Sequence, residues 1–179
     1  MLIYKDIFTG DELSSDTYPT KVVDDVMIEF TVKYEVRKEG QIQLAGANAS
    51  AEGEDADDGD DETVQRGIDI VLNHALVEMP IYCDAKAFKE YLKEYMKRLA
   101  EHLKKDGMSE DDLKAWKTKM QGCFGSICKK DRFKNLQFFA GAGENAHEGQ
   151  LGILEYREND DGETPYMMFV KAGLEEEKC

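Results

Sequence analysis

Eight acidic residues lie close together in one part of this sequence and are the side chains best suited to bind a cation. They fall within residues 46–63, which contain no Lys or Arg. An EF-hand loop that began at Asp55 would need an oxygen ligand at its fifth position and glycine at its sixth, where Gly59 and Asp60 stand. The acids therefore form either a weak calcium site or a solvated run of charge. The candidate calcium ligands are Asp57, Asp58, Asp60 and Asp61.

Neither the histidines nor the cysteines form a recognised catalytic or metal-binding pattern. No H-E-x-x-H, C-x-x-C or G-x-S-x-G motif is present, so no zinc site, redox pair or serine nucleophile can be assigned. We therefore expect no enzyme and no tightly bound cofactor. In a reducing compartment the four cysteines would be free thiols. Cys179 is either a spare thiol on a monomer or, under oxidising conditions, the site of an intermolecular disulfide in a dimer.

One glycine motif is similar to a dinucleotide-binding fingerprint. Residues 141–146 have the form G-x-G-x-x-A and follow a predicted strand. The fingerprint needs a helix next, because the N-terminus of that helix holds the pyrophosphate. Here Gly149 and another predicted strand follow, so the motif predicts a turn between strands.

A basic segment stands against an acidic background. Residues 84–134 carry 14 Lys and Arg against 9 Asp and Glu, a net charge of +5 in a chain of −15, so the remainder carries −20. This balance disfavours nucleic acid and anionic membranes as partners, because both require a dominant positive surface. A basic arm on an acidic body instead favours selection of an acidic protein partner. With no targeting segment and no apolar run long enough to span a bilayer, we expect a cytoplasmic protein.

The first half of the chain and its end are predicted to form an antiparallel sheet. Apolar and polar residues alternate over residues 26–36, which predicts one strand with a solvated face. The same pattern predicts strands over residues 1–4, 67–72, 138–139, 151–156 and 166–171.

The periodicity becomes helical over residues 84–130, which predicts a helical hairpin. Asp84 and Ser109 are the expected N-caps, and Gly107 is the expected stop between the two helices. Lys129, Lys130 and Arg132 are expected at the end of the second helix, where cations favour the dipole. Residues 46–63 lack large apolar side chains and are predicted to be a disordered acidic loop. The sequence thus predicts a single α+β domain over residues 1–179.

Several segments, in order along the chain, resemble the translationally controlled tumour protein family, also called histamine-releasing factor or fortilin. The first is M-L-I-Y-K-D at residues 1–6, followed by L-A-G-A-N-A-S-A-E-G at 44–53 and G-I-D-I-V-L-N-H at 67–74. Further matches lie at residues 133–135, 137–139, 155–157, 164–167, 173–175 and 177–179.

The resemblance implies a folded antiparallel sheet that carries a helical hairpin and a mobile acidic loop. That fold resembles the fold of a small Rab-binding, zinc-stabilised protein, although the paired cysteines for zinc are missing here. It also implies binding of calcium and stabilisation of microtubules. Contacts with a small GTPase of the Ras class and with translation elongation factor 1-alpha, growth promotion, anti-apoptotic binding and export by a non-classical route are implied as well.

The resemblance carries two sets of residues into the predicted sites. Glu12 corresponds to an acid implicated in GTPase binding, and an ordinary turn carboxylate is the alternative. Tubulin contacts are associated with the basic helices, here Lys86, Lys89, Lys93, Lys97, Arg98, Lys104 and Lys105.

Two functional hypotheses follow. The first is a non-enzymatic protein that binds calcium and microtubules, because microtubule surfaces are strongly acidic. The alternative is a guanine-nucleotide regulator of a Ras-class GTPase and of elongation factor 1-alpha, with Glu12 acting through its charge.

Overall fold

Antiparallel sheets and a helical hairpin form this α+β protein, as the sequence predicts. The computed structural model describes residues 1–38, 64–160 and 162–178. The predicted acidic loop, with its candidate calcium ligands, and Cys179 lie outside the described residues.

All strand pairings among the described residues are antiparallel, and they build three sheets. In chain order the strands are β1 (Leu2–Asp6), β2 (Glu12–Ser15), β3 (Thr20–Val23), β4 (Met27–Thr31), β5 (Tyr34–Lys38), β6 (Val64–Ile68), β7 (Val77–Glu78), β8 (Gln137–Ala140), β9 (Gly152–Asn159), β10 (Gly162–Val170) and β11 (Leu174–Lys178). The largest sheet has the order β3-β4-β10-β9-β8-β7, the second is β11-β1-β2, and β5 pairs with β6.

Four α-helices lie in the described parts of the chain. They are α1 (Asp69–His74), α2 (Ala85–Lys105), α3 (Glu110–Ile127) and α4 (Lys130–Phe133). Short 3-10 turns occur at Pro80–Cys83, Ala146–Glu148 and Lys171–Gly173. The two long helices, α2 and α3, form the hairpin.

The six-stranded sheet separates two apolar cores. On one face, Met27, Ile153 and Met168 pack with the buried stripes of α2 and α3. On the other face, Ile28 and Leu154 pack with strands β1 and β2 and with α1. Because successive residues of a strand point to opposite faces, each central strand contributes apolar side chains to both cores.

The prediction of a single strand over residues 26–36 is wrong in two respects. The strand ends at Thr31 and a new one begins at Tyr34 in a different sheet. Its supposedly solvated face is buried at Glu29, which binds Arg157, and at Met27, which packs with the hairpin. Long-range contacts cause the break: the Lys33 N–H donates to the Asp69 carboxylate over 3.1 Å.

The strand predicted over residues 67–72 is wrong beyond Ile68, because residues 69–72 form the start of α1. Strand β6 ends at Ile68, and the Asp69 Oδ1 atom accepts from the Ile70 N–H over 2.8 Å within the first turn. An acid in the first turn also favours the helix dipole. Ala75, with a left-handed φ of 53°, ends the helix after less than two turns.

The predicted caps of the hairpin are confirmed. The N–H of Ala87 donates to the Asp84 side chain over 3.3 Å, and that of Asp112 donates to the Ser109 hydroxyl over 3.1 Å. Gly107, with a φ of +96°, follows the end of α2. The second helix, however, ends at Ile127, so Lys130 and Arg132 belong to the separate helix α4. Arg132 pairs with the buried Glu155 carboxylate of the sheet.

Candidate protein-docking surface

A groove of about 650 Å³ lies between the exposed edges of α2 and α3. Its apolar lining comes from Leu92, Met96, Ala100 and Leu113. Five lysines form its rim, and we call the whole feature the lysine groove. These are Lys89, Lys93, Lys97, Lys104 and Lys117.

Helical spacing accounts for this arrangement. Lys89, Lys93 and Lys97 are four residues apart and therefore lie on one stripe of α2. Leu92 and Met96 follow the same four-residue spacing on the adjacent stripe. A third stripe, which includes Phe88, Tyr95 and Leu99, is buried against the sheet, so the lysine stripe is left at the surface.

The rim of the lysine groove is strongly positive. Glu101 is the acidic residue of the lining, against five lysines, which gives a net charge of +4. The four rim lysines of α2 and Lys117 are exposed, and none forms an ion pair with another residue in the described part of the chain. The groove therefore presents uncompensated cations around an apolar floor, a combination suited to an acidic protein surface.

The structure brings together part of the predicted tubulin-binding set. Lys89, Lys93, Lys97 and Lys104 line the groove, whereas Lys86 and Lys105 are exposed beside it. Arg98 is held by its own chain instead.

The Arg98 guanidinium donates to the Glu148 carbonyl over 2.7 Å and lies 4.9 Å from the centroid of the Phe8 ring.

Lys117 on α3 lines the groove, although the sequence analysis did not single it out. Its four-residue spacing from Leu113 places it beside the apolar stripe of α3, but only the packing of α3 against α2 brings it to the groove.

Glu12 lies outside the lining of the lysine groove, on strand β2, with 53 % of its side chain exposed. Its Oε2 atom is 3.9 Å from Nδ1 of His74, whose side chain is only 8 % exposed. Burial lowers the pKa of His74, and the Glu12 charge opposes this only in part. The imidazole is therefore neutral at physiological pH and does not offset the charge of Glu12, which stands opposite Lys5 in the β1–β2 pair.

The glycine motif at residues 141–146 forms a turn between strands, as predicted. It follows β8 and leads through the 3-10 turn Ala146–Glu148 to β9. A Cβ atom on Gly141 would lie 2.6 Å from the Asp11 carboxylate. Glycine is therefore required at position 141 because the Asp11 side chain approaches the backbone closely, and no bound phosphate is needed to explain it.

A buried ion-pair cluster was not predicted from the sequence. Arg157 contacts Glu29 and Glu155, and Arg132 contacts Glu155 as well. An acid within an alternating strand looks like a solvated residue, so the pattern gave no signal for this cluster.

The part of the chain that the structure describes contains neither a grouped set of metal ligands nor a membrane-spanning helix. No three His, Cys, Asp or Glu side chains in residues 1–38, 64–160 and 162–178 are grouped to hold a metal ion. In the same parts of the chain, no helix has the length and apolar character needed to cross a membrane.

Comparison with known sequences gives one consistent result. The family model described as translationally controlled tumour protein matches residues 1–175. The chain is 56 % identical over 179 residues to the translationally-controlled tumor protein homolog of Trichinella pseudospiralis, with 100 % of both chains covered. It is 47 % identical over 178 residues to the homolog of Bombyx mori, with 99 % of both covered.

Solved structures agree with the sequence comparison. The solution NMR structure of translationally-controlled tumor protein from Caenorhabditis elegans superposes with a TM-score of 0.77 at 56 % identity, covering 100 % of this chain and 99 % of that one. The protein p23fyp from Schizosaccharomyces pombe superposes with a TM-score of 0.76 at 32 % identity, covering 100 % of both.

Proposed function

The chain belongs to the translationally controlled tumour protein family, and from this premise we propose that it is a non-enzymatic interaction protein that binds microtubules through the lysine groove. The observation that carries the proposal is the set of exposed, unpaired lysines around an apolar floor. Microtubule surfaces are strongly acidic, so the charges are complementary.

The acidic remainder of the chain supports the proposal. A net charge of −15 repels an acidic partner from most of the molecule, so attraction is confined to the basic helices. Such a charge pattern selects the orientation of the encounter as well as the partner. Because the lysines are exposed, their attraction should be screened within about 8 to 10 Å at physiological ionic strength.

Co-sedimentation with polymerised tubulin tests the proposal. The variant K89E/K93E/K97E/K104E reverses four rim charges and should lower microtubule affinity by about tenfold or more at low salt. The wild-type protein should lose affinity steeply as salt is raised, whereas the variant should not.

A matched control changes the same number of charges elsewhere. Lys129, Lys130, Lys134 and Lys171 are exposed and lie outside the groove lining, so their reversal to Glu alters the net charge equally. This control should retain most of the affinity. If both quadruple variants bind alike, the lysine groove is not the docking surface.

Calcium binding belongs to the same proposal. Asp57, Asp58, Asp60 and Asp61 would supply oxygen ligands, and the affinity should be weak because no EF-hand spacing is present. Titration calorimetry with calcium, on the wild type and on the variant with all four changed to Asn, tests this. Equal heats from both proteins would exclude these ligands.

Regulation of a Ras-class GTPase, together with contact to elongation factor 1-alpha, is the second candidate function. Exposure of the Glu12 carboxylate on β2 favours it, since a partner can reach that charge. Release of labelled GDP from the GTPase should be faster with the wild-type protein than with Glu12→Ala. Equal rates with and without the protein would exclude exchange activity.

For location, we propose the cytoplasm, with export by a non-classical route as the alternative. Fractionation of cells, with detection of the protein in the medium, distinguishes the two.

A further inference from the structure

A second cleft, of about 480 Å³, lies between the β5–β6 ribbon and the outer ends of β9 and β10. Val32, Lys33 and Tyr34 line one side, and Tyr156, Glu163 and Pro165 line the other. Two of these aromatic side chains are unusually accessible, with Tyr34 61 % and Tyr156 41 % exposed. We call this feature the tyrosine cleft.

Glu163, which lines the tyrosine cleft, has a second glutamate opposite it on the neighbouring strand. Glu158 on β9 is directly opposite Glu163 on β10, and Tyr156 is opposite Pro165 on the same face of the ladder. Like charges directly opposite each other in an antiparallel pair are unfavourable. Neither glutamate has an ion-pair partner among the described residues.

The charge around the Tyr156 ring is therefore negative. Burial raises the pKa of Tyr156, and the nearby Glu163, Tyr34 and Glu78 raise it further. Lys33 is the cation of the lining, whereas Glu163 lines the cleft, Glu158 stands opposite Glu163, and Glu78 lies near the Tyr156 ring. A cation on a partner protein would offset the negative charge around the Tyr156 ring.

The opposite face of the same two strands shows which cation fits. There the Arg157 guanidinium lies 4.6 Å from the centroid of the Tyr166 ring while it donates to carboxylates. A planar guanidinium can stack on an aromatic ring and bind a carboxylate at once, which an ammonium does less well. The lining of the tyrosine cleft likewise holds an aromatic ring beside a glutamate, and no arginine is among its described residues.

We propose that the tyrosine cleft is a second docking surface, which binds an extended, arginine-containing basic segment of a partner protein. The guanidinium stacks on Tyr156 or Tyr34 and donates to the pair Glu158 and Glu163. This partner is opposite in charge to the one that fits the lysine groove, so the two surfaces can be occupied by different proteins.

NMR titration of the full-length, ¹⁵N-labelled protein tests the proposal. The probe is a tetra-arginine peptide blocked at both ends, and the amide signals of Tyr34, Tyr156, Glu158 and Glu163 should shift with it. Tetralysine should bind about three- to tenfold more weakly, because it lacks the stacking guanidinium. Shifts confined to residues 46–63, the acidic run of the sequence, would overturn the proposal.

Two matched double variants separate site binding from general attraction. E158Q/E163Q should weaken tetra-arginine binding by about tenfold, and Y156A should weaken it by about fivefold. E175Q/E176Q removes the same two charges from exposed positions on β11 and should change affinity less than about twofold. Equal losses from both double variants would show non-specific attraction and overturn the proposal. Unchanged signals of the distant hairpin confirm that each variant is folded.

Discussion

Arg157 binds Glu29 through a two-point contact, with Nη1 3.1 Å from Oε1 and Nη2 2.5 Å from Oε2. Its Nε atom also donates to Glu155 over 2.8 Å, and Arg132 reaches the same carboxylate from helix α4 over 2.5 Å. The cluster therefore joins β4, β9 and the short helix that follows the hairpin. It fixes the base of the helical hairpin to the six-stranded sheet.

Loss of the arginine should be costly, because Glu29 would remain buried without a counter-charge. We expect Arg157→Met to lower the free energy of unfolding by about 2 to 3 kcal/mol, less than for a fully buried pair because the Arg157 side chain is 33 % exposed. Glu29→Gln in the same protein should restore part of the loss. Urea denaturation of both single variants and the double variant measures the coupling. Strict additivity would mean that the contact contributes nothing.

The same cluster predicts a specific sensitivity to acid. Burial opposes ionisation of Glu155, but hydrogen bonds and charge from Arg132 and Arg157 outweigh it and hold the pKa of Glu155 below its usual range. The folded protein thus binds fewer protons there than the unfolded chain. Stability from this group is present above about pH 4.3 and is lost as the pH falls through the lowered pKa of the folded state.

Glu155→Gln tests this pH dependence. The variant should be less stable at pH 7 by about 1 to 3 kcal/mol, and the difference from wild type should shrink as the pH is lowered toward 3. Glu158→Gln, at an exposed position on the same strand, should show no comparable convergence. A difference that stays constant with pH would contradict the assigned protonation.

The turn between β3 and β4 contains two residues with a left-handed backbone, where a substitution by glycine should stabilise the folded protein. Asp24 and Asp25 have φ values of 53° and 64°, both in the left-handed region, as in a type I′ hairpin turn. Asp25→Gly should raise the free energy of unfolding by about 0.5 kcal/mol, whereas Asp25→Ala should lower it by about 1 kcal/mol. Thermal denaturation measures both. Changes of the same sign would point to the Asp25 side chain, 3.3 Å from Lys119, and not to the backbone.

Features set by local chemistry were predictable from the sequence. The caps at Asp84 and Ser109 depend on atoms three residues away, so the boundaries of the hairpin could be inferred. The break after β4 depends on Asp69, which is 36 residues distant from Lys33. Alternation of apolar residues cannot reveal that both faces of a strand are covered, because this depends on which elements pack there.

The lysine groove also combines features that the local sequence indicates with features that depend on tertiary packing. The spacing of Lys89, Lys93 and Lys97 already indicated a shared stripe on α2. Arg98 is not part of the groove, because its side chain contacts Glu148 and Phe8. Only the tertiary structure brings these two residues close to Arg98. The groove itself needs α3 beside α2, so Lys117 could not be joined to the stripe by spacing along one helix.

His74 provides a last prediction, since its buried ring lies beside the exposed Glu12. Burial lowers the pKa of His74 despite that neighbouring charge, so the folded protein binds a proton there less readily than the unfolded chain. Stability should therefore be complete above about pH 6.5 and decline as the pH falls toward the lowered pKa. His74→Phe should remove this part of the slope, whereas His147→Gln, at an exposed position, should leave it intact. NMR titration of the imidazole signals measures the pKa of His74 directly, and a value above 6.5 would show that Glu12 outweighs burial.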